Sequence, residues 1–307
     1  MEIIDRRERG DLGTIHVARL RADRGSLVEF VDTRDPRHPV EEKWVAIIST
    51  QFGCAVKCLF CDAGGGFRGN LTAAEMLALV DRLVMDRYGG RRVPVPKWKL
   101  HFARMGEPSL NPAVPEVLRE LAGRYEAPGL IPTIPTVAAA AGEAWFEEVA
   151  RIKEELYGGG RFQLQFSANS TDEAVRDRLM PVKKWSLERI AAFGRRWFRP
   201  GDRKLTLNFA LSPDFPFDRE KVQRLFDPER FLLKFTPVNP TEAAAVNGIG
   251  TVLSCSRRDA LDELAAALEG EGFQVLISIG EESENELGTN CGQAAFKALR
   301  EEMGAAG

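Results

Sequence analysis

Cys54-Ala55-Val56-Lys57-Cys58-Leu59-Phe60-Cys61 places three thiols within eight residues, at the spacing C-x3-C-x2-C. Cysteine thiolates hold iron–sulfur clusters, four of them to a [4Fe–4S] cube in the usual case. Three closely spaced thiols can ligate three irons and leave the fourth open. An open iron can be chelated by a small molecule with adjacent amino and carboxylate groups. Phe60 suits such a site, because an apolar neighbour helps to keep water off a cluster. Other uses of these thiols fit less well. A structural zinc site takes four ligands, commonly from two separated pairs. Here the remaining cysteines, Cys255 and Cys291, stand alone, and the chain has three histidines. Disulfide scaffolds belong to short secreted chains, whereas this chain has 307 residues and an odd number of cysteines, five. A lone cysteine is by default a small, partly buried hydrophobe, and that is the reading for Cys255.

The composition bounds the setting. The chain is 44% hydrophobic and 28% charged, an ordinary soluble balance. No apolar run approaches the roughly 20 residues that a membrane span needs. The first eight residues are charged and lack a signal-peptide core. These features lead us to expect a cytoplasmic monomer in a compartment where thiols stay reduced. The net charge of −3 counts against a dedicated binder of large RNA, since such proteins are usually basic. Two local basic patches stand out: Arg195 and Arg196 with Arg199, Arg203 and Lys204, and the stretch 176–184. The plain reading of each is a solvated face.

Several elements must position the cysteines. Residues 14–20 and 26–32 alternate apolar and polar, which predicts short strands, a small antiparallel cover. Residues 44–49 read as the first buried strand. The cysteines then fall in the loop at its C-terminal end, where α/β folds place their sites. Thr72-Ala73-Ala74-Glu75 is a capping box that opens a helix to about residue 88. Beyond it, strands near 98–103, 130–133, 161–167, 204–211 and 231–237 alternate with helices near 113–124, 145–156, 172–179, 187–198 and 221–226. A helix over 257–270 and a final strand over 274–279 follow. Strand–helix alternation implies a parallel sheet. Six strands between 44 and 237 predict an α/β fold, a partial (β/α)6 TIM-like barrel. We divide the chain into a β-rich extension (1–43), the barrel core (44–240) and a C-terminal extension carrying Cys291 (241–307).

These blocks together resemble the RlmN/Cfr family of radical S-adenosylmethionine (SAM) methyltransferases, which methylate an adenosine base in RNA. The cysteine spacing is the radical SAM signature. Gln51-Phe52-Gly53-Cys54 through Cys61 resembles the family's Q-V-G-C-x3-C-x-F-C, and residues 70–75 match N-L-T-A-A-E. Met105-Gly106-Glu107-Pro108 with Asn111 resembles M-G-E-P-x-x-N, and residues 176–181 resemble R-D-x-L-M-P. Ser167 and Asn169 fall where the family has Ser-Leu-His, and Cys291-Gly292-Gln293 resembles C-G-Q.

The resemblance implies roles. Cys54, Cys58 and Cys61 would bind a [4Fe–4S] cluster. Gly106, Glu107, Ser167, Asn169 and Thr236 would line the SAM site. Glu107 is suited to accept from the methionine ammonium. Cys291 would take a methyl group from one SAM and present it as S-methylcysteine. A 5′-deoxyadenosyl radical from a second SAM would abstract hydrogen from that methyl, and the product would add to a carbon that ordinary methyl transfer cannot reach. Glu29 matches the family's acidic proton acceptor. A flavodoxin- or ferredoxin-type reductant would supply electrons.

Two departures matter. The family's second catalytic cysteine, which resolves the enzyme–substrate bridge, falls here at Ile47. The residues before the barrel read as strands and loops, where RNA-methylating members carry a helical accessory domain. We therefore expect a smaller RNA or a nucleoside-like substrate rather than ribosomal RNA. Two alternatives remain open at this level. The deoxyadenosyl radical could act directly on a small molecule, with Cys291 orienting it, or the chain could be a non-catalytic cluster-bearing RNA-binding or sensor protein.

Overall fold

The computed structural model describes residues 1–10, 12–23, 25–35, 38–64, 66–250 and 258–278, together with Ala294, Ala295 and Ala298. Three antiparallel strands open the chain: β1 (Glu2–Arg9), β2 (Gly13–Arg19) and β3 (Leu27–Thr33). β4 (Lys43–Ile47) pairs antiparallel with β3, with Val31 opposite Ile47. A two-stranded ribbon, β5 (Gln51–Phe52) and β6 (Gly69–Asn70), brackets the cysteine loop. Helix α1 (Ala73–Tyr88) follows, then β7 (Lys97–His101), α2 (Val114–Arg124), β8 (Leu130–Thr136), α3 (Glu143–Leu156) and β9 (Gln163–Ser167). Next come α4 (Glu173–Leu179), α5 (Leu187–Trp197), β10 (Leu205–Leu211), α6 (Arg219–Leu225), β11 (Phe231–Pro237), α7 (Glu242–Val246), α8 (Arg258–Gly270) and β12 (Gln274–Ile277).

All long strands form one ten-stranded sheet, ordered β1-β2-β3-β4-β7-β8-β9-β10-β11-β12. From β4 to β12 every pairing is parallel. This is the partial TIM-like barrel expected from the alternation, lengthened by β12 as a seventh parallel strand. The N-terminal strands are not a separate cover. They continue the same sheet, because β3 offers its open edge to β4. β1 was legible only as a charged terminus. Its charges are paired locally, Arg7 with Asp5 and Arg19 with Glu2, and charged side chains suit the edge position it takes.

Strand alternation divides the side chains into two layers. Trp98 and Leu100 of β7 enter a core with Met76, Leu79, Val80 and Leu83 of α1. Trp44 and Trp98, in register on neighbouring strands, stack at 4.9 Å. The intervening Lys99 and His101 point into the barrel. On β3, Val28 and Phe30 join the helix-side core, while Leu27 and Val31 join a second apolar cluster. That cluster also holds Cys54, Val56, Ala294, Ala295 and Ala298, so these three alanines share a core with the cysteine loop. α1 begins at the expected capping box: Glu75 N–H donates to Thr72 Oγ1, and Thr72 N–H donates back to Glu75 Oε2. Among the described residues no helix is long and apolar enough to cross a membrane.

Candidate active site

The three cysteines lie on the loop between β5 and β6, and all three thiols are free of disulfides. The loop is tethered from several sides. Leu59 N–H donates to Leu179 O at 3.0 Å, Thr241 Oγ1 to Phe60 O at 3.0 Å, and Asn247 Nδ2 to Leu59 O at 2.9 Å. Gln51 Oε1 accepts from Ala55 N–H at 3.2 Å. Gly64 closes the turn; a Cβ there would sit 2.9 Å from Cys61 O. The block at 176–181 thus has a structural task. Arg176 is fully buried and donates to Ala168 O and Trp185 O, which fixes the end of β9 behind the loop.

Cys54, Cys58 and Cys61 border a cavity of about 310 Å³ at the C-terminal ends of the barrel strands. Gly106, Glu107, Ser167, Asn169 and Thr236 border the same cavity. Residues far apart in sequence are therefore gathered around one space. Among the described residues no three His, Cys, Asp or Glu side chains converge on a point that suits a single metal ion. A cubane asks for something else: each thiolate takes its own iron, so the sulfurs must share a space and not a point. The donor set fits that requirement. Burial pushes the Cys54 thiol up to about 11, with the Glu107 carboxylate adding to the effect. Burial, then Cys54 and Glu107, raise Cys58 further still. Without metal these thiols stay protonated, and binding a cluster must expel their protons.

Glu107 is buried and caps the short turn Pro108–Leu110. Its Oε1 accepts from Ser109 N–H at 3.1 Å, from Ser109 Oγ at 2.7 Å and from the Thr136 hydroxyl; Oε2 accepts from Val137 N–H at 2.9 Å. Burial raises its pKa, and these donors pull it back part of the way. Gly106 has φ +107, and a Cβ there would fall 2.5 Å from Thr50 Oγ1 and 2.7 Å from Gln51 Cβ. Only glycine fits where this backbone crosses the base of the cysteine loop. Asn169 also has positive φ, +62, and its amide lies 3.1 Å from Met180 Sδ.

Sequence reasoning named Thr236 but missed Arg104, Thr136 and Asn208 on the same wall. Thr236 Oγ1 donates to Asn208 Oδ1 at 3.0 Å, and Asn208 O accepts from the N–H groups of Ala168 and Asn169. Its signal was a lone amide inside the apolar run of β10. Thr136 was hidden because the expected strand stopped at 133; β8 instead runs on through Pro135, paired with Gln165.

The structure gives Glu29 a setting that the sequence did not suggest. It is fully buried on β3 and is not on the cavity wall. Its Oε2 accepts from Arg104 Nε at 2.6 Å, and its Oε1 accepts from Ala295 N–H at 2.7 Å. Glu29 thus links Arg104, which does border the cavity, to the backbone at Ala295. Cys291 and Cys255 lie outside the described residues. Ile47 ends β4, paired with Val31 and His101, and offers no thiol. Four residues of the basic patches are paired or buried, while Arg203 and Lys204 border a separate cavity. Arg196 and Arg199 pair with Glu147 and Glu154, Arg176 is buried, and Lys184 pairs with Asp177.

No family model matches the chain. Over 260 residues it is 28% identical to a protein of Moorella thermoacetica named as a probable dual-specificity RNA methyltransferase RlmN, across 82% of this chain and 68% of the relative. Over 284 residues it is 29% identical to the dual-specificity RNA methyltransferase RlmN of Geobacter sulfurreducens, across 90% of this chain and 70% of the relative. Its fold is similar to that of a radical SAM methyltransferase from Sphaerobacter thermophilus, with a TM-score of 0.71 and 23% identity over 95% of this chain and 80% of the other. The chain is thus RlmN-like in sequence, an enzyme similar to methyltransferases, with a fold similar to that of a radical SAM methyltransferase.

Proposed function

We propose that this chain holds a [4Fe–4S] cluster on Cys54, Cys58 and Cys61, binds SAM in the adjoining space, and passes a one-carbon unit through Cys291 to an unactivated carbon of an RNA adenosine or a smaller nucleoside-like substrate. One observation carries this reading: three free thiols and the Glu107 carboxylate border a single cavity at the strand ends. When bound, the cluster supplies the electron that splits SAM into methionine and a 5′-deoxyadenosyl radical. A flavodoxin- or ferredoxin-type protein is the proposed donor of that electron.

The chain's own residues bind and orient. Glu107 is held by four donors, so its carboxylate cannot swing away from the cavity; it is the acceptor for the methionine ammonium, a charge-assisted bond. Asn208 and Thr236, locked to each other, offer polar groups to the rest of SAM. Val56, Val137 and Val238 border the same space and limit water. Glu29 fixes the backbone at Ala295, four residues past Cys291. The relatives named as RNA methyltransferases favour an RNA substrate.

A second reading has its own observation. Ile47 supplies no thiol to release a substrate bound through Cys291, which favours direct attack by the deoxyadenosyl radical. Intact-mass and peptide mass spectrometry of the purified protein separates the two. A methyl group on Cys291, transferred to substrate on turnover, is the expected result. Full turnover by Cys291→Ala overturns the carrier role and leaves the direct-radical reading.

A further inference from the structure

A second cavity, of about 630 Å³, opens at the opposite end of the barrel. Lys43, Lys97, Gln163 and Gln274, the first residues of β4, β7, β9 and β12, border its mouth. Barrel interiors are normally filled by layers of branched aliphatic side chains. Here Lys99 and His101 of β7, Gln165 of β9 and Lys234 of β11 take those places. Arg203 and Lys204, at the start of β10, add two more cations to the wall.

The described residues set few carboxylates against the cations of this wall. Among the described residues the wall has one carboxylate, Asp202, and it is already committed to the Lys153 ammonium and to Arg199 N–H. Asp35 neutralises Lys43. The sheet sets Lys43 beside Lys97 in register, and like charges so placed repel. Lys97, Lys99 and His101 have no hydrogen-bonding or ion-pair partner for their side chains among the described residues. Burial, then Lys97, Arg203, Lys43 and Lys234, push the Lys99 ammonium down to about 8. His101 is likewise driven well below its ordinary value by burial and by lysine neighbours. The chain as a whole carries a net charge of −3, so the cations are concentrated here against the overall balance.

We infer that this cavity is a second binding site, for a phosphate-bearing polyanion of nucleotide size. Lysine acts as a point charge toward phosphate, and several lysines around one space suit an anion with several charges better than a single carboxylate. The volume falls within the range of small-ligand pockets, about 300–1,000 Å³. Gln165 and the Thr206 hydroxyl, which accepts from Gln163 Nε2 at 3.1 Å, offer neutral polar groups for a base or sugar. The site stands apart from the SAM cavity and does not depend on the function proposed for it.

The test is calorimetric titration of the cluster-loaded protein at low salt with inorganic tripolyphosphate, with ATP and with adenosine. Tripolyphosphate and ATP are expected to bind saturably and to raise the Tm, and adenosine is not. ATP binding at least tenfold tighter than tripolyphosphate assigns the ligand as a nucleotide; equal binding assigns the phosphate chain alone. The double variant Lys97→Met, Lys99→Met is expected to weaken both at least tenfold, to leave SAM affinity unchanged, and to melt no lower than the parent, since it removes crowded cations. No saturable binding of either phosphate probe, or equal affinity in the double variant, overturns the inference.

Discussion

Glu29, expected as a proton acceptor, sits in a buried ion pair with Arg104. Glu29 lies between Leu27 and Val31 on β3. Its carboxylate meets Arg104 at 2.6 Å and Ala295 N–H at 2.7 Å. Breaking a buried ion pair from one side costs about 3–5 kcal/mol, because the remaining charge keeps its desolvation penalty. We expect Glu29→Ala to lower unfolding stability by about that amount in urea denaturation. A solvent-facing proton acceptor would leave stability within about 0.5 kcal/mol of the parent, and that outcome would remove the anchor role. Glu107 differs in kind. Its four donors hold it against the cavity wall.

At the scale of elements, helix starts and strand alternation were legible because they are local. α1 begins where Thr72 and Glu75 cap each other, and it ends at Gly89, whose φ of +67 closes the last turn. β1 was not legible, since its charges hide a strand that needs β2 to exist. The length of β8 was not legible either, since Pro132 and Pro135 argue against a ladder that the neighbouring strands nevertheless complete. Glu75 also binds Arg21, at 2.7 and 2.8 Å, and so ties α1 to the end of β2. Partial burial would raise the Glu75 pKa, but the bonds from Arg21 and Thr72 outweigh it and hold it below its ordinary value. A carboxylate depressed in the folded state contributes stability above its unfolded pKa, about 4.3. That contribution is lost as pH falls through the lower folded value. Glutamine keeps the capping geometry and loses the charge. Glu75→Gln should therefore cost about 0.2–1 kcal/mol at neutral pH, as exposed pairs do, and the difference from the parent should shrink toward zero on acidification below about pH 4. A difference that grows in acid would contradict the assignment.

At the scale of the molecule, one sheet carries two cavities at its two ends. The upper one was largely legible: its residues sit in short motifs on loops after strands, and a motif survives in sequence whatever the strands pair with. Asn208 and Arg104 were not, because only the order of the strands brings them to the wall. The lower cavity was hidden for the same reason: Arg203 and Lys204 stood out only as a local basic patch, and Lys43, Lys99 and Lys234 are scattered lysines until the barrel turns them inward. The proposed chemistry rests on the three thiols of the upper cavity, and the direct measurement is 5′-deoxyadenosine formation. Protein reconstituted anaerobically to about four irons per chain, the cubane stoichiometry, is incubated with SAM and a strong reductant. We predict 5′-deoxyadenosine from the parent and none from Cys54→Ala, Cys58→Ala or Cys61→Ala. A fully loaded parent that leaves SAM intact, or a cysteine variant that cleaves it at the parent's rate, would contradict the assignment of the cluster to this loop.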